Sequence, residues 1–148
     1  MRRGRWRDDA GFAGGAEALL FGVLACVVVA LLAAAVWGAA RGRVAADAAA
    51  REATRAYVEH AGTEPGAAAL DAARAALTAR GRDPDRARVE VRTAAFARCE
   101  RVVVEVSYDL PAVRLPLGAG IGAVTVTGRS SELVDPYRDG VPGEASCG

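Results

Sequence analysis

The chain has one histidine, no lysine and only three cysteines among its 148 residues, and these shortages exclude much chemistry at the outset. His60 has no cysteine or second histidine near it at metal-ligand or catalytic-triad spacing, so it reads as a solvated helix end. Without lysine there is no P-loop. Gly118-Ala119-Gly120-Ile121-Gly122 superficially resembles a phosphate loop, but it lacks the dinucleotide fingerprint spacing and leads into a strand, so it reads as a connection between strands. Net charge is equally scarce. Residues 41–148 hold 15 arginines and 15 acidic residues, a balance that offers nucleic acid no basic surface. The sequence therefore predicts no catalytic residue, no metal, no cofactor, no small-molecule substrate and no nucleic-acid partner.

What is abundant is apolar surface in one uninterrupted run. From Ala18 to Ala40, ALLFGVLACVVVALLAAAVWGAA, there is neither charge nor proline. At 1.5 Å per residue such a helix is about 34 Å long, enough to cross the roughly 30 Å hydrocarbon core of a bilayer. A cleaved signal is the rival reading, because Gly38-Ala39-Ala40 precedes Arg41, but a signal's apolar region is usually about 7–15 residues. Arg2, Arg3, Arg5 and Arg7 crowd the N-terminal tail, and Phe21 and Trp37 sit near the two ends of the run. That pattern predicts a single-pass protein of the cytoplasmic membrane, N-terminus inside and C-terminal domain outside. Arg41, Arg43, Arg51 and Arg55 run against a simple charge count, yet they belong to a long segment of the kind that translocates regardless of charge.

Helical pattern continues past the run. Residues 41–60, RGRVAADAAAREATRAYVEH, are alanine-rich with only Gly42 as a breaker, which predicts one helix from about Gly15 to about His60. A second helix is expected over Ala67–Arg80, capped by Thr63 or Glu64, with Pro65 in its first turn and Gly81 ending it. Alternating residues then predict strands at Arg88–Arg92 and Arg101–Tyr108, paired as a hairpin, and a third at Ala123–Thr127 that could extend to Val134. Consecutive strands make an antiparallel sheet with one apolar face, and a helix must cover it. The expected fold class is α+β. Its divisions are a basic cytoplasmic tail over 1–17, the span over 18–40, its helical extension over 41–60, an outer α+β domain over 61–134 and a disordered tail over 135–148.

Three features go beyond architecture. Small residues recur at every fourth position, Gly14, Ala18, Gly22, Cys26, Ala30, Ala34, Gly38, Gly42, Ala46, Ala50 and Thr54, forming a ridge along which another helix could approach closely. Alanine-rich composition alone would also produce much of this ridge. Glu17, at the mouth of the span, must either snorkel to the interface or meet a partner. Cys26 lies within the span, whereas Cys99 and Cys147 both fall in the outer region, where a disulfide persists; a buried thiol at Cys99 and a free tail thiol at Cys147 is the competing reading.

The order of segments, GAEALLFGVLACVVVALL, AADAAAREATRAYVEH, a second alanine-rich helix, ARVEV, RVVVEVSYDLP and SSELVDPYR, resembles the TadE-like family of pilus-assembly proteins, the minor pseudopilins of tight-adherence (Flp-type) pilus systems. The resemblance implies a pilin-like protein whose long helix packs against pilins or other pilus-assembly proteins in the membrane while the sheet domain stays outside. It would give the ridge and Glu17 a purpose. A prepilin peptidase in such systems leaves glutamate fifth in the mature chain, whereas a cut after Gly11 would leave Glu17 sixth, so a processed and an uncut protein are both open. The alternative function is a bitopic envelope protein whose outer domain binds or regulates another envelope protein, with no pilus role.

Overall fold

Alanine sets the architecture. The computed structural model describes residues 9–60, 62–114, 120–144 and 146–147. Its first element is a helix, α1, spanning Asp9–Glu59, 51 residues and about 75 Å without a break. Gly42 does not interrupt it. The helix begins earlier than the expected Gly15. The expected tail over 1–17 is thus helical in its second half, while residues 1–8, with the four arginines, lie outside the described residues.

The second helix, α2, covers Pro65–Thr78, two residues ahead of the expected range at each end. Pro65 occupies the first turn as expected. Glu64 sits at the N-cap but makes no side-chain capping bond, in keeping with a side chain longer than those that cap well. At the other end Gly81 adopts φ +65°, and two crossed bonds close the helix: Gly81 N–H donates to Thr78 O (2.9 Å) and Arg82 N–H to Leu77 O (3.0 Å). This is the left-handed glycine stop that the sequence predicts.

Three strands follow, β1 (Ala87–Arg92), β2 (Arg101–Arg114) and β3 (Gly120–Leu133), in spatial order β1-β2-β3 and antiparallel throughout. Both long strands exceed the expected Arg101–Tyr108 and Ala123–Thr127. Gly120, Ile121 and Gly122 belong to β3 and not to a loop, because the ladder continues to Val113↔Ile121 and Arg114↔Gly120; Gly118 and Ala119 lie outside the described residues. Register follows from the pleat. Val102, Val104, Val106, Tyr108 and Leu110 of β2 share the buried face with Val89 and Val91 of β1 and with Val126 and Gly128 of β3. Arg88, Glu90 and Arg92 of β1 stand on the other face with Arg101 and Glu105 of β2 and Thr127 and Arg129 of β3, so one face is apolar and the other polar.

The outer half of α1 covers that apolar face, and α2 packs against α1. The core is therefore made of small residues on the helix side (Ala45, Ala46, Ala49, Ala50, Ala53) and of valines on the sheet side. Thr54, fully buried among them, donates its hydroxyl to Ala50 O at 2.7 Å, which satisfies it without a distant partner.

The C-terminal segment corrects an expectation. Residues 135–148 are predicted to be disordered from their prolines and glycines, yet this segment is bound back onto the loop between β1 and β2. Arg98 N–H donates to Pro142 O (2.8 Å), Arg98 Nε to Arg138 O (2.9 Å), Cys99 N–H to Val134 O (3.0 Å), and Val141 is buried. Cys99 and Cys147 form a disulfide with Cα atoms 5.2 Å apart. Arg138 also donates to His60 O beyond the end of α1 while its guanidinium lies 5.5 Å from the centroid of Phe96, and Phe96 meets Tyr57 edge to face. Burial raises the Tyr57 phenol above its ordinary value.

Candidate functional site

One face of α1 passes through three environments. In its outer part, Gly42, Ala46, Ala50 and Thr54 are buried against the chain's own sheet. A Cβ added at Gly128 would overlap the backbone of Ala46 and Asp47, so helix and strand touch main chain to main chain there. A Cβ at Gly42 would meet only the side chains of Leu110 and Val126. Small residues in this stretch are thus explained by intramolecular packing.

Farther in, Ala34 and Gly38 face β2 across a cavity of about 290 Å³ whose walls include Leu110, Pro111 and Ala112. Beyond that, Gly22, Cys26 and Ala30 are exposed among the described residues. They line a shallow apolar groove with Ala18, Leu19, Val23 and Val27. A Cβ at Gly22 or Gly38 would find no atom within 4 Å, so nothing within the described residues requires glycine at either position.

The exposed stretch is also the apolar one. Leu19, Leu20, Phe21, Val29, Leu32 and Val36 are all exposed, and α1 has the length and apolarity to cross a membrane, with none of its most apolar window buried by the rest of the chain. A soluble protein hides such a helix in its core. Glu17 is exposed near the N-terminal end of this stretch, and Cys26 is a free, exposed cysteine at its middle.

Of the candidate residues, then, Gly22, Cys26, Ala30 and Ala34 stand exposed on one line, Gly38 is half-buried, Gly42 is buried, and Cys99 and Cys147 are bonded to each other far from the ridge. The sequence reading missed the juxtaposition at the outer end of the apolar stretch. There Arg41 lies over the Trp37 ring, 5.0 Å from its centroid, and Arg80 and Arg82 from the end of α2 border the same cavity. The arginines on either side of Gly81 are visible in the sequence, but only the fold brings them to Arg41. No family model matches the chain, and no curated protein or solved structure matches it.

Proposed function

We propose that this protein is a non-catalytic, membrane-anchored component of an assembly of the tight-adherence pilus type, a minor pseudopilin whose α1 crosses the cytoplasmic membrane and docks other pilus-assembly proteins or pilins. The observation that carries the reading is the division of the ridge. Where Gly42–Thr54 faces the sheet, its small residues are needed by the fold; where Gly22–Ala30 is exposed, nothing among the described residues needs them. In lipid, burying more apolar surface gains nothing, so helices associate through close backbone contact along such a face. The resemblance of segment order to TadE-like proteins supports the choice of assembly. The arginines of the N-terminal tail support an inside N-terminus, with the sheet domain outside.

The test replaces Gly22 and Ala30 together by leucine, which keeps the helix apolar. The variant should stay in the membrane pellet after alkaline carbonate washing, keep its C-terminal domain open to external protease, and lose piliation or partner crosslinking by on the order of tenfold. Leu32→Ile, off the ridge, should change neither. Normal piliation in the double variant would leave a simple tether, and the envelope-regulator reading would take its place.

A further inference from the structure

The collar where α1 leaves its apolar stretch is built from three separate parts of the chain. Trp37 and Arg41 come from α1, Arg80 and Arg82 from the stop of α2, and Leu110, Pro111 and Ala112 from the β2–β3 hairpin. Two cavities adjoin here and share Trp37, Arg41 and Arg82. The outer one, about 560 Å³, adds Val44 and Arg80; the inner one, about 290 Å³, runs between Leu31, Ala34 and Ala35 of α1 and the hairpin. Charge and apolarity are thus stacked along the helix axis in the order found at a membrane surface. Three guanidinium groups border the outer cavity, and the inner slot, mainly apolar beside Arg41 and Arg82, reaches Leu31, about 13 Å along the helix from Ala40.

None of Arg41, Arg80 and Arg82 has a carboxylate within ion-pair distance among the described residues, whereas Arg55 and Arg92 do. Arg41 is held over Trp37. Arg80 donates to Ala76 O at 2.9 Å and keeps its other donors available, while the Arg82 backbone is locked by its bond to Leu77 O. Guanidinium groups offer paired donors suited to phosphate oxygens, and tryptophan favours the headgroup level. We infer that this collar binds one anionic phospholipid of the adjacent leaflet, its phosphate on Arg41 and Arg82 with Arg80 beside them, and one acyl chain in the slot between α1 and the β2–β3 hairpin. The inference rests on the reading that α1 spans the bilayer, but not on the pilus. A bound lipid would fill the gap between the helix and the hairpin and hold the sheet domain at a set angle to the membrane.

The test uses full-length protein carrying Trp6→Phe, which leaves Trp37 as the sole tryptophan. It is reconstituted in phosphatidylcholine vesicles containing a minor fraction of phosphatidylglycerol, with bromine on the acyl chains of one lipid or the other. An arginine near an anionic surface favours binding by about fivefold, so quenching of Trp37 should show phosphatidylglycerol enriched by on the order of tenfold or more over its bulk share. Arg41→Gln with Arg82→Gln should bring it to bulk level, and Arg129→Gln, on the polar face of the sheet, should not. Quenching by each lipid in proportion to its bulk share in the unsubstituted protein would overturn the lipid site while leaving the span intact, as would enrichment that survives the double substitution. Absence of quenching by either lipid would overturn the span and the site together. Soluble glycerol phosphate, lacking acyl chains, should not displace the lipid; displacement would make this a site for free phosphate esters and overturn the assignment.

Discussion

Gly128 faces the backbone of α1 at close range, and its neighbours show why glycine at one position is not equivalent to glycine at another. A methyl group there has to displace the backbone of α1, which cannot move without lifting the helix from the sheet. Gly128→Ala should therefore destabilise the outer domain by about 3 kcal/mol, at the upper end of overpacking costs. Gly42→Ala meets side chains, chiefly the movable end of Leu110 and then Val126, and the helix gains about 1 kcal/mol from alanine's better propensity, so its net effect should be within about 1 kcal/mol of zero. Chemical denaturation of the two variants checks the pair. Comparable losses in both would show that the helix lies farther from the sheet than described. Cys99 presents the opposite case. It adopts φ +62° in a turn closed by Glu100 N–H to Ala97 O, a conformation in which glycine is common and a side chain is strained, yet it must be cysteine to reach Cys147.

At the scale of elements, the sequence was most legible where one rule acted alone. The apolar run from Ala18 to Ala40 announced its helix, Gly81 announced the end of α2, and alternation announced which residues of β1 and β2 face inward. Strand ends were less legible, because Pro111 and the glycines at 120 and 122 suggest a break, whereas β3 is an edge strand and Pro111 lies past Ala87↔Tyr108, where β1 no longer pairs with β2. The ridge was the least decidable feature. Its spacing is identical from Gly22 to Thr54, and only the fold shows that Ala46 and Ala50 spend their small size on the sheet while Cys26 and Ala30 do not. No local rule of sequence separates the two halves, since what distinguishes them is the strand, some 80 residues away, that happens to cross one of them.

At the scale of the whole molecule, two anchors fix the domain relative to its helix: the sheet lying on α1, and the C-terminal segment tied to the β1–β2 loop. Prolines and glycines signal disorder only when nothing distant holds them, and here the disulfide, the Arg98 bonds and Arg138 all hold described residues of that segment. The bridge closes a separation of 48 residues, worth about 4 kcal/mol on the chain-entropy account. Replacing both cysteines by serine should lower stability by about 2–4 kcal/mol and speed proteolysis of the C-terminal segment, while membrane retention stays unchanged because α1 is untouched. Full alkylation of Cys99 and Cys147 in the native, oxidised protein would contradict the bridge.

The central claim is that one face of α1, within the membrane, docks another helix. It is tested most directly by placing a photo-crosslinking amino acid at Cys26 and, in a separate protein, at Val28. Both positions are exposed in the apolar stretch and lie about 200° apart around the helix. In intact membranes position 26 should give a discrete adduct with a pilus-assembly protein or pilin, and position 28 should give lipid adducts without a protein partner. Equal protein adducts from both positions, or none from position 26, would contradict a docking face and reduce the ridge to alanine-rich composition.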